Sequence, residues 1–183
     1  PNPLVAGRGL AVLEAAGIEV QTGLMASEAA ALNAGFMMRM TAGRPRVTVK
    51  LAASLDGRTA MASGESQWIT GPPARADVQR LRAASSAIMT GIGTVLADDP
   101  SLNVRAPDID TRERQPLRVV LDSALRMSPV ARMLSLPGDT LVLARRADGA
   151  SADALRAAGA IVEAPGRDSA GIDLDRALAR LAV

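Results

Sequence analysis

Short apolar runs recur along the second half of this chain, each bounded by turn residues and separated from the next by a helix-like segment. Leu117–Leu121 and Thr140–Ala144 carry almost no polar face. That is the pattern of strands covered on both sides, as in a parallel sheet. Ala87–Thr90 and Ile161–Glu163 are shorter candidates of the same kind. Ala152–Ala158, closed by Gly159, and Leu174–Leu181 read as helices between or after them. Strand and helix alternate, which predicts an α/β sandwich around a largely parallel sheet.

The first half reads differently. Arg8–Ala16 suits a short helix stopped by Gly17, and Ile18–Val20 a short strand. Ser27 is placed to cap a helix over Glu28–Met40, with Ala29, Leu32, Phe36 and Met40 on one face. Thr41-Ala42-Gly43-Arg44-Pro45 breaks the pattern and is the expected domain boundary, dividing residues 1–43 from 44–183. Arg46–Ser54 then alternates like a strand, Asp56-Gly57 reads as a turn, and Met61–Gln67 as a polar loop. Thr70 is placed to cap a helix with Pro72 and Pro73 in its first turn. In that helix Ala74, Val78 and Leu81 form the expected buried stripe, leaving Arg75, Gln79 and Arg82 on the polar side. Arg105–Pro116 is a charged loop.

Composition removes whole classes of chemistry. The chain has no His and no Cys. Disulfides, thiol nucleophiles, imidazole bases and nearly all zinc sites are therefore out of reach within it. Phe36 and Trp68 are the only aromatic residues, and the net charge is +2. With no long basic run and almost nothing to stack on bases, nucleic-acid binding is not expected. No signal peptide or apolar stretch of membrane-spanning length is visible, so a cytoplasmic protein without a membrane partner is expected. The chain starts at Pro1 without a Met and stops after a helix-like segment, so it is expected to be part of a longer protein.

Four features could carry chemistry. Lys50 is the only Lys among 21 basic residues. Alternation would set Thr48, Lys50 and Ala52 opposite Val47, Val49 and Leu51, placing an ammonium in the middle of an apolar strand. There it either donates to a ligand or snorkels to solvent. Second, Ile88-Met89-Thr90-Gly91-Ile92-Gly93-Thr94 runs from a strand through a Gly-x-Gly turn into a helix start. Such a turn can cradle a phosphate, or serve as a plain tight turn; the third glycine of a dinucleotide fingerprint is missing. Third, Trp68, in Ser66-Gln67-Trp68-Ile69-Thr70, either packs on a cofactor ring or plugs the core. Fourth, Arg82 and Arg105 suit phosphate or a carbonyl-rich heterocycle, unless Arg82 is only a solvated helix face. Asp98-Asp99-Pro100 reads as a turn, with too few neighbouring ligands for a metal.

Taken in order, three stretches resemble one family. Val49-Lys50-Leu51-Ala52-Ala53-Ser54-Leu55-Asp56-Gly57-Arg58-Thr59-Ala60 is similar to the opening of the reductase domain of bifunctional riboflavin-biosynthesis deaminase–reductases. Ser63-Gly64-Glu65-Ser66-Gln67-Trp68-Ile69-Thr70 and Gly91–Leu102 continue the likeness. Pro1–Gly9 and Leu32–Phe36 resemble the tail of the deaminase domain. The resemblance implies a dihydrofolate-reductase-like fold and an NADPH-dependent reduction of the ribosyl group of 5-amino-6-(5-phosphoribosylamino)uracil to the ribityl form. It further implies a phosphorylated pyrimidine as the partner and self-association into a homo-oligomer.

By the same resemblance, cofactor contacts fall at Ala52 or Ala53, Trp68, Thr70, Gly91, Gly93, Thr94, Asp98 and Ser123. Substrate contacts fall at Lys50, Ser66, Arg82, Leu102 and Arg105, with Lys50 catalytic. Zinc belongs only to the family's deaminase part, whose His and Cys ligands this chain lacks. A glutamate and a Gly-rich cofactor loop of the family's reductases would lie beyond Val183. Two other readings are a related reductase acting on another heterocycle and a non-catalytic nucleotide-binding module.

Overall fold

The computed structural model describes residues 2–166 and 171–182. It divides into two compact units, residues up to Val49 together with those from Leu174 onward, and Lys50–Asp173.

The first unit is helical, with α1 (Arg8–Ala15), α2 (Ala26–Leu32), α3 (Ala34–Ala42) and the last helix, α7 (Leu174–Arg180). Three expectations change here. The single helix expected over Glu28–Met40 is two helices meeting at Asn33, whose side-chain amide donates to the Ala29 carbonyl at 2.9 Å. The Asn33 backbone N–H donates to the same carbonyl at 3.1 Å, so the side-chain bond shares the last rung of α2 where the two helices meet. Ser27 lies inside α2 rather than capping it; Met25 takes the cap position, and the Ser27 hydroxyl bonds Glu28 instead. Ile18–Val20 forms no strand. The helix stop is as expected, because Gly43 adopts the left-handed conformation that closes α3 (φ 64°).

In the second unit the strands lie where the apolar runs do. They are β1 (Ala87–Gly91), β2 (Leu117–Leu121), β3 (Thr140–Leu143) and β4 (Ile161–Glu163). All pair in parallel, in the order β1-β2-β3-β4. The helices α4 (Pro72–Ala83), α5 (Ile92–Asp98) and α6 (Ala150–Ala157) and a 3-10 turn at Arg132–Ser135 complete the unit. Val119, Val120, Val142, Leu143 and Met133 are fully buried, so the core lies on the two central strands. Its packing partners include Ile92 and Val95 of α5 and Ala152 and Leu155 of α6. A near-continuous apolar strand is stable because both of its faces leave water, at roughly 25 cal/mol for each Å² of apolar surface.

A charge is buried within β2. Arg118, in β2, is 1% exposed. Its guanidinium donates to the carbonyls of Leu136, Gly138 and Asp139, tying down the turn before β3. Gly138 within that turn has φ 98°, and a Cβ there would stand 2.8 Å from the Cβ of Gln115. Only glycine meets both demands.

Arg46–Ser54 is not a strand. The segment is irregular and exposed, with Val49 and Leu51 at 77% and 78%. Alternation supplies strand propensity, but a strand also needs a partner for its backbone groups. Among the described residues none pairs with this segment. The turn after it is as expected: Ser54 donates its hydroxyl to Asp56 at 2.5 Å, and Arg58 closes it with an ion pair to Asp56 at 3.0 Å. Those two bonds, the Ser54 one first, hold the exposed Asp56 carboxyl below its ordinary range.

Candidate functional site

The residues singled out by the sequence fall into three groups. The first is built on α4. Gly71, not Thr70, is its N-cap, and the two prolines occupy the first turn, where a missing N–H costs nothing. The expected faces are largely reversed. Ala74 and Leu81 are exposed, whereas Arg75, Val78, Gln79 and Arg82 are half-buried. The polar stripe faces protein because each member has a partner there. Arg75 donates to the Thr70 carbonyl at 2.6 Å and lies over the Trp68 ring, 4.6 Å from its centre. Arg82 donates to the Asn103 carbonyl at 2.9 Å. Gln79 accepts the Arg105 backbone N–H at 3.0 Å.

The segment that α4 meets is fixed from its other side as well. Gln115 accepts the Val104 N–H at 2.8 Å and donates to the Val104 carbonyl at 3.1 Å. Leu102 takes a positive φ of 45° and buries its side chain in the core. Only the backbone of Leu102 is therefore left to meet a ligand. Around this segment opens a cleft of about 260 Å³, lined by Trp68, Arg75, Ala76, Gln79, Arg105 and Ala106.

Burial, and then the positive charge of Arg105, push the Arg82 guanidinium below its ordinary pKa. Two cations thus repel one another, and among the described residues neither makes an ion pair. An anion entering between them would relieve that repulsion.

The second group lies along the carboxyl edge of the sheet. Gly91 ends β1 and starts α5 in an extended conformation, and Gly93 and Thr94 follow in the first turn. In register, Gly91 stands beside Leu121, and Leu121 beside Leu143. Ser123 follows two residues past Leu121. Asp122 steers it outward: this buried carboxylate accepts the Met127 N–H at 2.8 Å and so curls residues 122–127 into a tight turn. Space around the glycines is open, since a Cβ added at Gly91 or Gly93 would meet nothing within 4 Å. Parallel α/β sheets bind ligands at this edge, where strand ends and helix starts leave a crevice. Asp98 is exposed at the end of α5. Its neighbour Asp99, the helix cap at φ 38°, accepts the Arg132 N–H at 2.9 Å.

The third group is Lys50, Ala52, Ala53 and Ser66. Lys50 and Ala53 are exposed, and Ala52 and Ser66 half-buried, on irregular backbone. None of them lines the arginine cleft or the crevice beside Ser123. Sequence reasoning missed Gln79 and Gln115, which hold the Arg105 segment. The signal for Gln79 was present, because Arg75, Gln79 and Arg82 recur at helical spacing, but that stripe was assigned to solvent.

A family model described as the RibD C-terminal domain matches residues 45–183. The chain belongs to this family. Over 149 residues it is 58% identical to the riboflavin biosynthesis protein RibD of Escherichia coli strain K12, covering 76% of this chain and 41% of that one. A solved structure of Acinetobacter baumannii RibD superimposes with a TM-score of 0.86 at 46% identity, over 100% of this chain and 49% of that one. A second, the Thermotoga maritima diaminohydroxyphosphoribosylaminopyrimidine deaminase/5-amino-6-(5-phosphoribosylamino)uracil reductase, gives 0.81 at 30% identity, over 100% and 48%. The chain thus spans about two fifths of that curated relative and half of those solved chains. The RibD-type fold is the α/β, dihydrofolate-reductase-like arrangement with a parallel four-stranded sheet. Among the described residues no helix is long and apolar enough to cross a membrane.

Proposed function

We propose that this chain is the reductase part of a riboflavin-pathway deaminase–reductase. It would use NADPH to reduce the ribosyl group of 5-amino-6-(5-phosphoribosylamino)uracil to the ribityl form. The observation that carries this reading is the pairing of a cleft lined by Arg75 and Arg105, where Arg82 is bonded to Asn103 of the adjoining segment, with an open glycine turn on the carboxyl edge of the same unit. The named activity of the Thermotoga relative supplies the substrate.

The residues present fit a nicotinamide nucleotide. Gly91 and Gly93 let backbone N–H groups approach its phosphates without a side chain in the way. Thr94, Asp98 and Ser123 would supply polar contacts along that edge, and Trp68, Thr70 and Ala52 or Ala53 would complete its contacts. When bound, the cofactor supplies the hydride, which is how a chain without His or Cys can take part in a reduction. The protein's share is positioning. Arg82 and Arg105 hold the substrate's phosphate or uracil oxygens, and Ser66 and the Leu102 backbone bracket it. Lys50 donates a hydrogen bond or a proton to the sugar at its reacting end.

The same reading assigns residues 1–43 to the tail of a deaminase domain and 44–183 to the reductase. A family match that begins at residue 45 supports that division. Zinc would belong to the deaminase part alone. A cytoplasmic homo-oligomer goes with such an enzyme.

The test is turnover by the full-length protein. With the deaminated substrate it should oxidise NADPH and yield the ribityl product, and Lys50→Ala should abolish this while leaving thermal unfolding unchanged. NADPH binding without turnover on that substrate would favour the nucleotide-binding module instead.

A further inference from the structure

A second crevice lies next to the expected cofactor run, and the proposal for it rests on the reductase reading above. It measures about 410 Å³ and opens where β2 and β3 end and α6 begins. Ser123, Leu125, Arg145, Arg146, Asp148 and Ser151 are among its lining residues. The Arg145 N–H meets the Ser123 carbonyl at 3.4 Å, so the crevice continues directly from the residue that ends the glycine-turn side of the site. Neighbouring strands lie about 4.8 Å apart, so a dinucleotide with its phosphates at the glycine turn and its adenosine directed away from β1 would reach the end of β3.

Charge decides what that half must carry. Arg146 and Asp148 neutralise one another through a two-pronged pair, Nε to Oδ1 at 3.0 Å and Nη2 to Oδ2 at 3.1 Å. Hydrogen bonding to Arg146 holds the Asp148 carboxyl below its ordinary range, and the same bond raises the Arg146 guanidinium. A free acid at this place would suit the bare ribose hydroxyls of an unphosphorylated dinucleotide. Here that acid is occupied by its neighbour. Arg145 is left over: it is exposed and makes no ion pair among the described residues.

We propose that Arg145, with the Ser123 and Ser151 hydroxyls, forms a subsite for the 2′-phosphate of the cofactor's adenosine, and that Arg146 serves it by neutralising Asp148. Planar guanidinium donors match a phosphate, and the hydroxyls supply the remaining hydrogen bonds. Cofactor choice in this chain then rests on residues 145–148 rather than on the glycine turn, which meets groups common to both dinucleotides.

Calorimetric titration of the full-length protein with NADPH, NADH and adenosine 2′-monophosphate tests this without turnover. Arg145→Ala should weaken NADPH and adenosine 2′-monophosphate by about tenfold, the size of one lost charge-assisted hydrogen bond, and leave NADH unchanged. Arg145→Lys should recover part of the loss. Arg146→Ala should weaken NADPH but not NADH, because the released Asp148 carboxylate repels the phosphate. Equal weakening of both dinucleotides by Arg145→Ala, or no weakening of either, overturns the subsite and leaves the reductase reading standing. A wild-type protein that binds neither dinucleotide overturns both.

Discussion

The stretch from Ala87 to Glu163 and the stretch from Arg46 to Thr70 were about equally suggestive as sequence, and they fold in opposite ways. The first contains all four paired strands and most of the core. The second holds the motif residues of the family's reductase opening and contributes no strand. Val142 and Leu143 are completely buried; Val49 and Leu51 are among the most exposed apolar residues. Val and Leu occur in both places, so the propensity of those residues alone is not the difference. What differs is the availability of a neighbouring strand and of a helix to cover it.

Substitution can break this comparison. Leu143→Ala removes a fully buried side chain from a central strand and should destabilise by about 2–5 kcal/mol, read from the denaturant midpoint. Leu51→Ala, at 78% exposure, should stay within about 0.5 kcal/mol. Comparable losses at the two positions would mean that the 46–54 segment is packed in solution, and the contrast would fail.

The next effect is smaller and concerns the arginine buried in β2. Arg118→Met should cost about 1–3 kcal/mol, since carbonyls of Leu136, Gly138 and Asp139 lose their donor. Arg118→Lys should not restore the loss, because a single ammonium cannot span those carbonyls as a guanidinium does. Equal stability of the Met variant and wild type would show the turn to be held by its backbone alone.

A third test sharpens the contrast between scaffold and site. Gln79→Ala frees the Arg105 N–H, so KM for the pyrimidine substrate should rise about tenfold with kcat nearly unchanged. A matching fall in kcat with constant KM would place Gln79 elsewhere in the chemistry. The smallest effect is electrostatic. In Arg146→Ala the Asp148 carboxyl should titrate higher than in wild type, followed by NMR. Because its folded-state pKa is depressed, the pair helps stability above the unfolded-state value and loses that help as pH falls through the folded one. The group is exposed, so unfolding itself should hardly move.

These contrasts also show what the sequence makes legible. Four strands were placed to within a residue, and for β2 and β3 the reason is burial on both faces, which leaves an unbroken apolar signature that needs no knowledge of neighbours. Gly43 was readable as a helix stop because its left-handed backbone dictates the residue, and Gly91 as a strand-to-helix turn because the apolar run ends there. The faces of α4 were not readable. Arg75 and Arg82 have long apolar stems and polar tips, and only the position of Trp68 and Asn103 reveals that the tips find partners on the protein. Lys50 misled for the same reason in reverse, since its supposed strand depends on contacts that local sequence does not encode. Nothing local announced the Arg146–Asp148 pair as more than a charged turn.

The close approach of Gly138 to Gln115 carries a consequence for how this family can vary. Gln115 clamps Val104, the residue before Arg105, so bulk or an extra residue in the 136–139 turn would push on the arginine cleft from behind. The charged loop from Arg105 to Arg114 ends just before that clamp, and its outward residues 107, 108 and 112–114 press on nothing comparable. Length differences among relatives should therefore collect in the charged loop, while the turn ahead of β3 keeps its size and its glycine.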